Sequence, residues 1–223
     1  VVACDAPAGQ GVGLRVAVEV GGQLSPLAAD AGSTTLSFTP PTVTEVSGQG
    51  AVQGSTAGDE DLVLVGTNFP PVGDLPDPVV RFGPSPSGDV YVAQGCRVTV
   101  SGARIECTTA EGVGAELGVW LAVDGVDPLA AWGGAPAALP AASFPKAVSY
   151  HPPVVTGYEG PGASEASTVG GADWYVDVTG RNFGPVGHGA VDSVTYAKPA
   201  IAAGTEPGVI FEAACTVRDA HTR

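Results

Sequence analysis

The four cysteines are the residues whose type and spacing most clearly predict chemistry in this chain. Cys96 and Cys107 bracket the stretch RVTVSGARIE, which we interpret as two short strands around a turn at residues 101–103. A hairpin of this kind brings its flanking thiols together, so the spacing favours a disulfide. Two free buried cysteines are the alternative interpretation. Because disulfides persist in oxidising compartments, a bridge here predicts an extracellular protein.

The other reactive side chains form no catalytic or metal-binding pattern that we recognise. His151, His188 and His221 have no partner His or Cys at metal-ligand spacing, so we interpret them as exposed loop residues. The acidic run at 59–61 lacks the further oxygen ligands of a calcium loop. The glycine-rich segment at 9–13 is followed by neither a helix nor a lysine, and no serine lies in a nucleophile-elbow motif. We therefore expect no enzyme activity, no metal and no cofactor.

Composition and charge restrict the expected partners. The chain has 223 residues, with 9 basic and 23 acidic side chains and a net charge of -14. Nucleic acid and anionic membrane surfaces attract positively charged faces, so neither is an expected partner. No stretch has the length and apolarity of a membrane-spanning helix, so membrane insertion is not expected. The 33 glycines and 20 prolines punctuate short valine-rich runs, a pattern typical of all-β folds.

Most of the chain consists of an internal repeat. The motif Gly-x-Asn-Phe occurs at residues 66–69 and again at 180–183. Three further segments have a second copy: LSFTPPTVTEV at 36–46 with VSYHPPVVTGY at 148–158, LRVAVEVGG at 14–22 with LGVWLAVDG at 117–125, and CRVTV at 96–100 with CTVRD at 215–219. The offset differs from one pair to the next, which places insertions in loops, where extra residues cost little stability.

The repeat also aligns the two remaining cysteines with the predicted hairpin. Cys215 is the counterpart of Cys96, and Cys4 is the counterpart of Cys107. If the last residue were followed by the first, Cys215 and Cys4 would be 12 positions apart, against 11 for Cys96 and Cys107. We therefore expect the chain to contain two repeats cut in the middle of a domain, with Cys4 and Cys215 paired to a neighbouring repeat or subunit.

In their shared order, the repeated elements resemble the IPT/TIG domain. These elements are Pro-Pro-x-Val, Gly-x-Asn-Phe, the Cys-flanked hairpin, a Gly-rich turn, and SFTPP or SYHPP at the exit. The resemblance covers nearly the whole chain and implies tandem immunoglobulin-like β-sandwiches, each with about seven strands in two packed antiparallel sheets. The family occurs in receptor ectodomains, long tandem surface proteins and some transcription factors, of which the acidic charge disfavours the last.

The resemblance implies three domain segments. Residues 1–40 are the C-terminal part of a sandwich that completes a preceding repeat, residues 41–151 a complete sandwich, and residues 152–223 the N-terminal part of a further sandwich. Several strand residues are expected to lie at least partly in a core: Val63, Val65, Phe69, Val80, Phe82, Trp120 and Ala122 in the first copy, and Val176, Val178, Phe183, Val194 and Tyr196 in the second. The proline pairs at 40–41 and 152–153 are expected to stiffen the junctions.

Sugar attachment is a further expectation from the sequence. Neither asparagine begins an Asn-x-Ser/Thr acceptor site, so N-linked sugar is not supported. Ser-Pro and Thr-Pro-Pro elements are candidates for O-linked sugars on Ser, Thr or hydroxylated Pro, with plain turn residues as the alternative interpretation; the candidates are Ser25, Thr39, Pro40, Pro41, Ser85 and Pro86.

Three functions fit these observations. The first is a structural segment of an extracellular fibre that assembles head to tail by completing split domains. The partners that complete each domain are either separate copies of the chain or adjoining repeats of one longer chain. The second is a ligand- or glycan-binding segment of a cell-surface receptor or adhesin. Trp132 is its candidate contact residue, and packing of this Trp against its own domain is the alternative interpretation. The third is a non-catalytic appendage of an enzyme that acts on polysaccharide. We favour the first.

Overall fold

The computed structural model of the chain is nearly all β and its sheets are antiparallel, as predicted. It describes residues 3–11, 14–25, 35–73, 76–85, 90–123, 142–187, 193–197 and 210–220. Pro86, Trp132, His188 and His221 lie outside these ranges. Helical structure in the described part is limited to α1 (Gly162–Glu165) and a 3-10 turn at Ala172–Trp174, and no helix there could cross a membrane.

The N-terminal segment, meaning the described residues up to 40, contains four two-residue strands. These are β1 (Leu14–Arg15), β2 (Glu19–Val20), β3 (Gln23–Leu24) and β4 (Thr35–Leu36). β1 pairs antiparallel with β4, and β2 pairs with β3. The β2–β3 turn consists of Gly21 and Gly22, both with positive φ, which glycine adopts without steric cost.

The central part of the chain contains eight strands in two four-stranded sheets. The strands are β5 (Thr42–Ser47), β6 (Asp61–Thr67), β7 (Val79–Gly83), β8 (Tyr91–Val92), β9 (Gln94–Val100), β10 (Arg104–Thr108), β11 (Leu117–Ala122) and β12 (Ala142–Val148). One sheet has the order β5-β6-β10-β9 and the other β12-β11-β7-β8. Buried side chains from both sheets form a single hydrophobic cluster, so we call residues 42–150 the two-sheet unit.

The core of the two-sheet unit differs in one strand from the prediction. Phe69, Val80, Phe82, Trp120 and Ala122 are buried, as expected. On β6, however, Val63 and Val65 are only half-buried, whereas Leu62 and Leu64 are fully buried. Side chains alternate between the two faces of a strand, and β6 carries apolar residues on both. In the folded unit the leucines, not the valines, belong to the hydrophobic cluster.

The C-terminal segment, meaning the described residues from 152 onward, contains two separate two-stranded sheets. β13 (Val154–Glu159) pairs with β14 (Asp177–Arg181), and β15 (Val194–Ala197) pairs with β16 (Ile210–Ala213). Its predicted core residues are not closed off from solvent: Val176, Val178, Phe183 and Val194 are half-buried, and Tyr196 is exposed.

Candidate assembly surfaces

The Gly-x-Asn-Phe motif has the same structure in both copies. At Gly66 a Cβ would overlap the Thr42 carbonyl oxygen and the Phe69 ring, and at Gly180 it would overlap the equivalent groups of Val154 and Phe183. Only glycine therefore permits the aromatic ring to lie against the strand at this point.

The asparagine of the motif links it to the proline pair before each copy. Asn68 and Asn182 have φ values of 56° and 63°, in the left-handed region that asparagine tolerates better than most residues. The Asn68 Nδ2 donates to the Pro40 carbonyl oxygen at 3.2 Å, and the Asn182 Nδ2 donates to that of Pro152 at 3.0 Å. Each motif thus fixes the entry of the chain into its first strand.

The first strand pair is also repeated in detail. A register irregularity lies between Val43 and Glu45 in the β5–β6 pair and between Val155 and Gly157 in the β13–β14 pair. Beside it, Thr44 Oγ1 donates to the Val65 carbonyl oxygen, and the equivalent bond joins Thr156 and Thr179. The C-terminal segment therefore begins as the two-sheet unit begins.

The disulfide predicted between Cys96 and Cys107 is present in the two-sheet unit. It connects the neighbouring strands β9 and β10, whose turn occupies residues 101–103 as the sequence predicts. Both cysteines are buried against the hydrophobic cluster. This bridge is consistent with an oxidising, extracellular environment.

Cys4 and Cys215, the counterparts of the bridged pair, are free and exposed. The offset that aligns Cys4 with Cys107 also aligns Leu14 with Leu117, so Cys4 lies at the same distance before β1 as Cys107 lies before β11. Each free cysteine thus occupies the repeat position of one bridged cysteine, Cys4 that of Cys107 and Cys215 that of Cys96.

Among the described residues, none forms a layer over the apolar face of the N-terminal segment. Leu14, Val16, Val18 and Val20 alternate along the chain, as one face of a strand does. Val16 is 46% exposed, whereas its counterpart Val119 is 0% exposed. The same contrast holds for the other members of the series, whose counterparts Leu117, Leu121 and Val123 are all buried.

The partner strand β4 repeats this contrast. Leu36 pairs with Leu14, just as its counterpart Val148 pairs with Leu117. Leu36 is 60% exposed and Val148 is 0% exposed. The Phe38 N–H donates to the Gly11 carbonyl oxygen at 2.9 Å, and the equivalent Tyr150–Gly114 bond has the same length. The N-terminal segment thus has the local geometry of the β11–β12 pair without its packing.

Strand edges are open at matching positions in the two segments. In the two-sheet unit, β11 lies between β12 and β7. Its counterpart β1 pairs only with β4 within the described residues, and β15, the counterpart of β7, pairs there only with β16. An open edge presents unpaired backbone donors and acceptors, which form a template for another strand.

Three rings of the two-sheet unit form an aromatic cluster. Phe82 lies 5.4 Å from Tyr91 and 6.3 Å from Tyr150 between ring centroids, and the two tyrosine rings are 5.8 Å apart. The Tyr150 hydroxyl donates to the Ala110 carbonyl oxygen at 2.6 Å. Burial is the main cause that raises the pKa of Tyr150 far above its ordinary value, with smaller contributions from Tyr91 and nearby carboxylates.

No role was predicted from the sequence for Tyr91 or Tyr150, although Tyr150 lies in the repeated SYHPP element. In the C-terminal segment, Tyr196 takes the position of Phe82 and pairs with Phe211, as Phe82 pairs with Tyr91. Tyr196 and Phe211 are 42% and 63% exposed. The C-terminal segment therefore has this aromatic pair, but it is not covered as its counterpart is.

The described residues contain no group of three His, Cys, Asp or Glu side chains that could hold a metal ion. In the acidic run at 59–61, a Glu60 side-chain oxygen accepts a hydrogen bond from the Ser55 N–H at 2.7 Å. Glu60 therefore binds backbone within its own loop, between residues 55 and 60. His151 is exposed, as expected of a loop histidine.

The candidate sugar-attachment residues differ in accessibility. Thr39 is exposed, whereas Ser25, Pro40 and Ser85 are half-buried. The Ser25 Oγ accepts a hydrogen bond from the Val18 N–H at 2.9 Å. Pro41 is buried at the start of β5, so it does not present an attachment atom in this fold. Of the five candidates that lie in the described residues, Thr39 is the most accessible.

Comparison of the chain with protein-family models, with curated proteins and with solved structures found no match.

Proposed function

We propose that this protein is a structural segment of an extracellular fibre, built of immunoglobulin-like sandwiches of the IPT/TIG type. The two-sheet unit is one complete sandwich. The N-terminal segment is the closing part of another sandwich and the C-terminal segment is the opening part. Each junction along the fibre forms when an N-terminal segment completes the sandwich that a C-terminal segment begins. The two segments belong either to separate copies or to adjoining repeats of a longer chain.

One observation carries the proposal: the same alternating apolar residues are buried in the two-sheet unit and exposed in the N-terminal segment. Leu14, Val16, Val18 and Val20 expose side chains whose counterparts contribute to the hydrophobic cluster. Burying a side chain of this size is favourable by about 1.5–3 kcal/mol. Covering all four therefore supplies a strong driving force for association.

The sheet orders of the segments support the same proposal. Joining the open edge of β1 to the open edge of β15 gives the order β4-β1-β15-β16, which reproduces β12-β11-β7-β8. The contact joins two different surfaces, so it repeats along a filament instead of closing into a symmetric dimer. Backbone hydrogen bonds supply affinity in such strand addition, and alternate side chains supply specificity.

The cysteines support an extracellular junction with a covalent lock. Completion of the sandwich brings Cys4 beside Cys215, as Cys107 lies beside Cys96 in the two-sheet unit. An oxidant such as glutathione disulfide takes up two electrons and two protons from the thiols and leaves as two glutathione molecules.

A truncation tests the proposal. The full chain is expected to form assemblies in sedimentation velocity, while a variant containing only residues 41–223 is expected to remain monomeric. A peptide of residues 1–40 should bind this variant one to one, since it supplies the missing strands. A peptide in which Val16 and Val18 are both replaced by Asp serves as the matched control and should not bind.

Two results would contradict the proposal. One is a full chain that stays monomeric at every concentration tested. The other is a 41–223 variant that assembles as readily as the full chain. Peptide mapping of native material after cleavage at Asp separates the two arrangements left open. The peptide AHTRVVACD indicates adjoining repeats of one chain, and a Cys4–Cys215 bridge between separate peptides indicates separate copies.

Recognition of a ligand or glycan at a cell surface is the second candidate function. Trp174 and Tyr175 of the C-terminal segment are 39% and 48% exposed, and aromatic rings of this kind bind sugar faces. Quenching of tryptophan fluorescence on a glycan panel, lost in Trp174→Ala, would favour it. Assembly that Trp174→Ala leaves unchanged would be expected under the fibre proposal.

A further inference from the structure

We infer that the junction between copies has one defined strand register, in which residues 15–19 of one copy pair antiparallel with residues 193–197 of the next, and that Phe38 completes an aromatic cluster across the junction. This inference rests on the proposed function, because it requires that copies associate through these segments. It adds the atomic arrangement of the interface, which the association alone does not determine.

The register follows from the β11–β7 pair of the two-sheet unit. There, Val119 lies opposite Phe82, Trp120 opposite Arg81 and Leu121 opposite Val80. The repeat aligns Val119 with Val16 and Phe82 with Tyr196. The equivalent pairs at the junction are therefore Val16 with Tyr196, Ala17 with Thr195 and Val18 with Val194.

Burial of the apolar face excludes any register that differs from this one by a single residue. Side chains alternate with a period of two, so a slip of one residue would turn Val16 and Val18 to solvent and Arg15 and Ala17 toward the core. A slip of two residues would retain the face but displace Val16 from Tyr196. Burial of Val119 opposite Phe82 indicates which of the allowed registers the repeat uses.

The aromatic cluster supplies a second, independent marker of the register. Phe38 is the counterpart of Tyr150, and Tyr196 and Phe211 occupy the positions of Phe82 and Tyr91. Phe38 already lies against Gly9, where a Cβ would overlap the ring, as Tyr150 lies against Gly112. Phe38 therefore lies against the same glycine position as its counterpart Tyr150, which contacts Phe82.

Cysteine cross-linking tests the register. In a background with Cys4→Ser and Cys215→Ser, the pair Ala17→Cys and Thr195→Cys is compared with the pair Ala17→Cys and Ser193→Cys. Ala17, Ser193 and Thr195 are exposed, so the substitutions leave the core unchanged. Directly opposite residues lie within disulfide reach, whereas diagonal neighbours are about 7–8 Å apart and are not bridged without backbone movement.

After oxidation with glutathione disulfide, non-reducing electrophoresis is expected to show a ladder of chain multiples for the 17/195 pair and loss of that ladder for the 17/193 pair. A ladder from 17/193 instead, or a bridged monomer, overturns the inferred junction. Sedimentation of the same samples under reducing conditions separates the two proposals. Assembly without a 17/195 ladder contradicts only the register, and absence of assembly contradicts the proposed function as well.

The proposed role of Phe38 is tested in the variant that carries cysteines at positions 17 and 195. Phe38→Tyr copies the residue found at position 150 and should keep the ladder, while Phe38→Ala should lose it. A ladder that persists in Phe38→Ala overturns the aromatic part of the inference. Circular dichroism of each variant checks that its β structure is retained.

Discussion

The two-sheet unit and the C-terminal segment begin with the same motif, the same strand irregularity and the same asparagine–proline hydrogen bond, yet only one of them has a closed core. The difference lies in the strands that follow. The two-sheet unit contains β10, β11 and β12 after its first strands, and their buried residues cover Leu64 and Phe82. Local geometry is therefore set within the repeated motif, whereas burial depends on strands far away in the chain.

Truncation of equivalent aromatic residues in the two regions should give the largest difference in stability. Phe82→Ala should lower the free energy of unfolding by about 3–5 kcal/mol, because it leaves a cavity in a closed core. Tyr196→Ala should change the free energy of unfolding of the unassembled chain by less than about 1 kcal/mol, because the ring is already exposed. Urea denaturation followed by circular dichroism measures both, and equal losses would show that the two regions do not differ as described.

Removal of the cysteines sharpens the comparison. Replacing Cys96 and Cys107 by Ala should lower the free energy of unfolding by roughly 3 kcal/mol, because the bridge restricts the unfolded chain. Replacing Cys4 and Cys215 by Ala should leave unfolding of the unassembled chain within about 0.5 kcal/mol, since both thiols are free. Thermal unfolding of the two double variants distinguishes them, and a comparable loss in both would contradict the contrast.

The motif glycines test how much of the local geometry depends on packing. Gly66→Ala should cost about 1–3 kcal/mol, because its Cβ would meet the Thr42 carbonyl and the Phe69 ring. Gly180→Ala creates the same overlap with Val154 and Phe183, but Phe183 is only half-buried and can move. We expect a smaller loss there, measured by urea denaturation. Equal losses would mean that the C-terminal segment is as rigid as the two-sheet unit.

Tyr150 gives the two-sheet unit a pH dependence that its counterpart Phe38 cannot have. Burial raises the pKa of Tyr150 above its unfolded value of about 10, so its contribution to stability is complete below that pH and is lost as the pH rises further. Tyr150→Phe should cost about 1 kcal/mol at neutral pH through the lost hydrogen bond to Ala110. Above pH ~10 the loss of stability with pH should be shallower in this variant.

The matched control for this prediction is Tyr158→Phe, because Tyr158 is 66% exposed. It should leave the stability profile unchanged in urea titrations between neutral and alkaline pH. A Tyr150→Phe variant with the same alkaline profile as the original protein would show that this phenol does not ionise on unfolding.

The smallest expected effect concerns the surface ion pair between Lys146 and Glu116. Lys146 Nζ lies 2.8 Å from Glu116 Oε2, but both side chains are about two-thirds exposed. Lys146→Gln should change the free energy of unfolding by less than about 0.5 kcal/mol, because water and salt screen the pair. A larger loss would show that charges at the surface, in addition to buried apolar residues, separate the two regions.

The sequence predicted local features well and burial less well. The turn at 101–103 and the Cys96–Cys107 bridge follow from a short hairpin, whose partners are close along the chain. The face of β6 could not be predicted, because Leu62 and Leu64 alternate with Val63 and Val65 and both pairs are apolar. The burial of Pro41 was missed for a similar reason, since proline occurs both in exposed turns and beside the start of a strand.

By itself the sequence determined the β class, the repeat with its Gly-x-Asn-Phe motif, and the hairpin that carries the disulfide. These features depend on backbone conformation and on contacts between nearby residues. Only the tertiary structure decided that Val119 is buried while Val16 is exposed, although both lie in matching strands. Burial requires a neighbouring strand and a facing sheet, and these come from distant parts of the chain, so the alternating pattern alone does not determine it.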